Sequence, residues 1–140
     1  MRRDLVVIVV IVVAVLAVIA IAASFFFGPA SADILSVSTD KDLYHSNEVM
    51  YVTVEVSSSR ALDKTIVLFS GIEDRYGDFK LNDTLSANLT PGINTLSYEH
   101  TMPSCSHCSG LDPGDYQFNV TLEREGVIFN TVNHTIRIEQ

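Results

Sequence analysis

The chain has no tryptophan, two cysteines and four prolines among its 140 residues, and only 9 lysines and arginines against 17 acidic residues. Each scarcity excludes something. Two cysteines are too few for a structural zinc site made from two cysteine pairs. With a formal net charge of −8 there is no basic patch, and nucleic acid, which binds through lysine and arginine on its phosphates, is not an expected partner. No G-x-S-x-G, H-E-x-x-H or phosphate-cradling glycine-rich loop occurs. The sequence contexts of a serine hydrolase, a zinc protease and a nucleotide-binding loop are therefore missing. We expect no catalytic residues and no cofactor. Long amphipathic helical patterns are missing as well.

Polar side chains are missing from Leu5 to Phe27, apart from Ser24. At about 1.5 Å of rise per residue, such a run gives roughly 34 Å of helix, enough to cross a hydrocarbon core of about 30 Å. Its valines and isoleucines are poor helix formers in water, but in lipid a single span must satisfy its backbone within itself and does so only as a helix. Arg2 and Arg3 precede the run, whereas Gly28 to Ser38 carries only Asp33. The positive-inside tendency then keeps residues 1–4 in the cytoplasm and exports the rest. Ala30-Ser31-Ala32 has the form of a signal-peptidase site, but the apolar block is far longer than the 7 to 15 or so residues of a secretory signal. An uncleaved signal anchor at 5–27 is the expectation, with cleavage after Ala32 as its alternative. Residues 28–32 form a short linker, and 33–140 form one outer domain.

That outer segment carries 7 basic and 16 acidic residues, which suits solubility and repels anionic surfaces. It also carries four N-x-S/T sequons, at Asn82, Asn88, Asn119 and Asn133. Chance would give about one in a chain of this composition, so they are read as glycan acceptors in an exported domain.

Several short runs of alternating hydrophobicity follow the linker, separated by turn residues, the pattern of an antiparallel sandwich. Ile34–Thr39 reads as an edge strand, followed by a polar corner at Asp40-Lys41-Asp42. In Glu48–Val56 the residues Met50, Val52, Val54 and Val56 share one face. Lys64–Ser70 reads as a central strand, Gly71–Asp78 as a polar excursion, Phe79–Leu85 as an edge, Asn88–Gly92 as a turn and Ile93–Met102 as a strand. The last hairpin starts at Asp112-Pro113-Gly114, turns at Glu125-Gly126 and returns through Val127–Ile138. Its register sends Asn119 and Asn133 outward and His134 inward, where His134 needs a partner, a bulge or a rim position. The expected fold is all-β: a single immunoglobulin-like antiparallel sandwich of about seven strands, preceded by one N-terminal transmembrane helix.

The stretch Thr39-Asp40-Lys41-Asp42-Leu43-Tyr44-His45-Ser46-Asn47-Glu48-Val49-Met50 resembles the opening of macroglobulin-type and adhesion-type Ig-like modules, which read T-D-K-x-x-Y-x-x-G-E-x-V. Here Asn47 stands for the glycine and Met50 for the valine. Leu111-Asp112-Pro113-Gly114-Asp115-Tyr116 is similar to the entry of the penultimate strand in such modules. The resemblance implies an Ig-like fold in a bacterial or archaeal envelope setting; its motifs are turn chemistry and imply no catalytic residue.

Cys105-Ser106-His107-Cys108 is the most specific local feature. In an exported compartment it reads first as a short-loop disulfide between Cys105 and Cys108. A metal site of His100, Cys105, His107 and Cys108 is the weaker alternative, and a redox pair weaker still, because no helix N-terminus is evident to lower a thiol pKa. Glu73, Asp74, Asp78 and Asp83 offer carboxylates without the spacing of a calcium loop. His45 and His100 read as surface or turn residues.

These readings converge on a membrane-anchored extracytoplasmic binding or structural module, bound to the lipid bilayer through its helix and to another envelope protein or a surface glycan through its outer domain. Two alternatives remain at this point. One is a subunit of a surface filament or secretion apparatus, since archaellum stator proteins have a similar helix-plus-sandwich layout. The other is a metal or redox protein using Cys105 and Cys108.

Overall fold

The structure, a computed structural model, describes residues 2–106 and 109–140. Among these residues one helix, α1 (Arg2–Phe27), is followed by eight strands: β1 (Ala32–Thr39), β2 (Leu43–His45), β3 (Val49–Ser58), β4 (Leu62–Glu73), β5 (Phe79–Leu89), β6 (Gly92–Thr101), β7 (Gly114–Arg124) and β8 (Val127–Glu139). Within α1 the segment Val6–Ala23 is long and apolar enough to cross a membrane, and none of it is buried against the rest of the chain.

The strands form two sheets, a three-stranded one ordered β1-β3-β6 and a five-stranded one ordered β2-β8-β7-β4-β5. Alternation decides which residues meet between them. Met50, Val52, Val54 and Val56 of β3 join Val67 and Phe69 of β4 and Phe118, Val120 and Leu122 of β7 in one shared core, all almost fully excluded from water. Phe69 stacks on Tyr98 of β6 with ring centroids 4.3 Å apart, tying an inner strand of one sheet to the edge of the other. At Gly71 the backbones of β4 and β7 come so close that a Cβ would stand 2.4 Å from Phe118 Cα.

Among the described residues there are eight strands, not about seven, and the added one is not antiparallel. Between Thr39 and Leu43 the chain leaves the first sheet and joins the second, where β2 runs parallel to the end of β8 with Tyr44 opposite Ile138. Asp40 holds this corner: its carboxylate accepts hydrogen bonds from Tyr44 Oη at 2.6 Å and from the Tyr51 amide at 2.9 Å. The Tyr44 bond is the main reason the Asp40 pKa lies below its usual value. Burial, then the bond to Asp40, pushes the Tyr44 phenol up to about 12. Lys41 Nζ pairs with Glu48 at 2.6 Å, and the other Glu48 oxygen accepts from the His45 amide at 2.8 Å. The T-D-K-x-x-Y-x-x-x-E pattern is thus a set of mutually capping turns. Asn47, at the position where the resembling modules carry glycine, has φ +63°, a left-handed conformation that asparagine tolerates better than most residues.

Three segment boundaries also differ from the sequence reading. β4 continues to Glu73 through the supposed polar excursion, with Ile72 fully buried. β5 runs to Leu89, so Asn88 belongs to a strand and the turn begins after it. Ala32 is not linker but the buried first residue of β1, and the preceding Ser31 is already bonded to Ser59, whose amide donates to Ser31 O at 2.9 Å.

At the entry of β7, Tyr116 Oη donates to Asp112 O at 2.6 Å and accepts from the Asp112 amide at 3.0 Å. That closes the Asp-Pro-Gly-Asp-Tyr corner back on itself. His134 does point inward, and it finds a partner: its Nε2 lies 3.1 Å from Thr39 Oγ1 on β1, with its ring tilted against Phe118.

Candidate functional site

Three of the four sequons are brought together by strand register. Ser70 of β4 is opposite Asn82 of β5 on one side and Asn119 of β7 on the other, and Asn119 is opposite Asn133 of β8. Asn82, Ser70, Asn119 and Asn133 therefore form one row straight across the outer face of the five-stranded sheet, with all three asparagines exposed. Neighbouring strands lie about 4.8 Å apart, so the row presents its polar side chains at a regular spacing. Beside it Thr121 and Thr131 pair through their hydroxyls at 2.9 Å, the sort of cross-strand polar pair that stiffens an exposed sheet face. Asn88 stands apart, near the other end of β5, where its Oδ1 accepts from the Lys64 amide at 3.0 Å.

The cysteine loop sits at the end of the domain that also holds the β4–β5 turn. Cys105 is buried, its amide donates to Ser46 Oγ at 2.7 Å and its thiol lies 3.7 Å from Leu111 O. Burial, reinforced by the negative charge of Asp112, pushes the thiol pKa up, which disfavours the nucleophilic thiolate. The expected disulfide partner Cys108 and the expected ligand His107 lie outside the described residues. Among the described residues Cys105 is unbridged, and no three His, Cys, Asp or Glu side chains converge as a metal cage.

His100, expected at the surface or in a turn, lies instead within β6. It is largely buried on β6, with Nδ1 3.5 Å from Asp83 Oδ2. The same Asp83 oxygen accepts from Tyr98 Oη. Burial lowers the His100 pKa, and the Asp83 charge pulls it part of the way back. This Asp83–Tyr98–His100 cluster joins the β5 edge of one sheet to the β6 edge of the other. Sequence reading missed it because 15 residues separate Asp83 from Tyr98 and their strands belong to different sheets.

The remaining carboxylates do not assemble into a cation site among the described residues. Asp74 is buried and accepts from the Tyr76 amide at 2.8 Å and the Asp78 amide at 3.0 Å, with Lys80 Nζ 2.7 Å from its other oxygen. The Lys80 bond is the chief cause of its lowered pKa. Glu73 and Asp78 are exposed, and Asp83 is committed to Tyr98. His45 is exposed beside Glu48.

No protein-family model matches the chain, and no curated protein matches it in sequence. Solved structures do match in shape. A CARDB domain from Pyrococcus furiosus, determined in complex with di-metal ions, superposes with a TM-score of 0.50 at 15% identity, covering 79% of this chain and 92% of that one. The C-terminal domain of wzt gives a TM-score of 0.53 at 10% identity, over 81% of this chain and 76% of that one. A b-glucosidase from Erythrobacter marinus gives 0.59 at 13% identity, but this chain spans only 16% of it. A likeness at such identities is one of fold, an all-β sandwich-like arrangement shared with a CARDB domain.

Chemically, two of the surfaces that the described residues offer are the outer faces of the two sheets. One is a polar, hydroxyl- and carboxamide-rich sheet face. The other is the outer face of the three-stranded sheet, where Tyr51 is half exposed opposite Glu99.

Proposed function

We propose that the chain is a membrane-anchored, extracytoplasmic immunoglobulin-like module of the cell envelope that works by binding or as a structural part and not by catalysis. The observation that carries this reading is the row of Asn82, Asn119 and Asn133 on one sheet face. Acceptor sites that fell by chance would be spread over both sheets and the loops. The long apolar α1 upstream supports the same compartment.

The sheet order supports the immunoglobulin-like reading. β1-β3-β6 and β2-β8-β7-β4-β5 correspond to an A-B-E sheet facing an A′-G-F-C-C′ sheet, and the Tyr116 corner stands where such domains place their tyrosine corner. Among the described residues no disulfide joins the sheets, and Phe118 and Val54 fill the core. In an oxidising compartment Cys105 and Cys108 close a short loop, and recovery of freely alkylated thiols from the exported protein would overturn that pairing.

With glycans on the five-stranded face, the three-stranded face around Tyr51 is left for a partner, either another envelope protein or a surface glycan. Exposed tyrosine is a favoured contact residue at such surfaces. The test is photo-crosslinking in the native membrane from position 51 and, as a comparison, from position 133. A discrete adduct from 51 and none from 133 is expected. Adducts from 133 alone, or from neither, would overturn the assignment.

A further inference from the structure

Four connections share one end of the β domain: the entry to β1 at Ser31–Ala32, the β3–β4 loop after Ser58, the β5–β6 turn at Pro91–Gly92 and the β7–β8 hairpin at Glu125–Gly126. Ala32 is opposite Ser58, which is opposite Gly92, and Leu62 is opposite Leu89, so the pairing fixes this common end. Glu125 and Gly126 both have positive φ, the two-residue turn that holds the hairpin tight. Just inside these turns stand Leu35, Ile93, Val127 and Ile128, which are 53%, 68%, 62% and 60% exposed.

We propose that this end is a foot that seats in the phospholipid headgroup region of the membrane crossed by α1. The inference rests on the anchored reading given above and names the surface that the anchored domain touches. The tether argues for it. Only Gly28, Pro29 and Ala30 lie between α1 and Ser31, which is already bonded to Ser59. Four peptide steps from Phe27 to Ser31 reach at most roughly 14 Å. The domain cannot stand clear of the bilayer on such a lead, and the end it brings down is the one carrying the most exposed aliphatic side chains.

Charge argues for it as well. The outer segment is strongly acidic, yet the foot is closer to balance, with Arg60, Lys64 and Arg124 against Asp33, Glu55, Asp63, Glu123 and Glu125. The other residues of the segment hold four basic groups against eleven acidic ones, so the end that meets anionic headgroups is the one least repelled by them. Arg60 and Lys64 are exposed and within reach of phosphates, and the aliphatic tips belong at the level where interfacial anchors lie.

The chain has no tryptophan, so a single Ile128→Trp substitution in the full chain reports only from the foot. The variant is reconstituted in phosphatidylcholine–phosphatidylglycerol vesicles with or without brominated acyl chains, beside Phe79→Trp at the opposite end. The expected result is a blue-shifted emission from position 128 that brominated lipid quenches at least twofold, with position 79 unquenched. A chain that floats with the vesicles but shows a water-like, unquenched emission from position 128, or equal quenching at both positions, would overturn the foot while sparing the anchor. A chain that does not float would overturn the anchored reading and the foot with it. Ile93→Trp repeats the measurement if Ile128→Trp loses its β-sheet circular dichroism.

Discussion

Asn119 on β7 and Asn133 on β8 are register partners, and both side chains point away from the core. Directly opposed residues have Cβ atoms about 5 Å apart, too close for two branched glycans to stand upright without crowding. In a host that glycosylates N-x-S/T sequons, the pair is expected to carry one glycan per molecule, and Asn119→Gln is expected to raise occupancy at Asn133. Intact-mass analysis reads the result. Full occupancy of both on the same molecule would contradict the geometry.

Asn47 occupies the left-handed position of the β2–β3 turn. Asn47→Gly is expected to be neutral or slightly stabilising, whereas Asn47→Val should cost about 1–2 kcal/mol, because a β-branched residue is strained at positive φ. Urea unfolding of the two variants side by side checks the sign of each.

Asp74 contributes stability with a defined pH sense. Its folded pKa is lowered, chiefly by Lys80, so its contribution is complete above the unfolded value of about 3.9. It is lost as pH falls through the lower folded value. Asp74→Asn keeps the shape and loses the ion pair. The variant should melt below the parent at neutral pH, and the gap should narrow below about pH 4. A gap that stays constant across thermal melts between neutral and strongly acidic buffer would mean that the Lys80 pairing is not its source.

Gly71→Ala places a methyl group 2.4 Å from Phe118 Cα and 2.5 Å from Gln117 O. Both are backbone atoms of β7 that cannot rotate away, so the two inner strands must part. A loss of about 3 kcal/mol is expected, read as a shift in the denaturation midpoint. Ser70→Ala next to it, on the outer face, should change little.

Legibility in the sequence followed how local the signal was. β3 and β7 show clean alternation because one face is buried and the other wet, and their inward residues are as expected. The outward direction of Asn119 and Asn133 came from the same pattern. β2 was invisible: three residues carry no periodicity, and its partner β8 lies far along the chain, with Leu43 opposite Arg137. β5 looked shorter than it is because an edge strand with Asn82, Asp83, Ser86 and Asn88 has little apolar face to show. The partners of Asp74 and Asp83 were equally hidden, since nothing in a linear sequence marks Lys80 or Tyr98 as such. The alignment of the sequons was hidden for the same reason, being a property of register between four strands.

Whether residues 33–140 lie outside the membrane that α1 is proposed to cross is tested most directly by proteinase K treatment of intact cells expressing the chain with an epitope at its C-terminus. The epitope is expected to be lost while a cytoplasmic control protein survives. An epitope that stays protected until the membrane is permeabilised, and is then digested, would contradict that placement and the envelope role built on it.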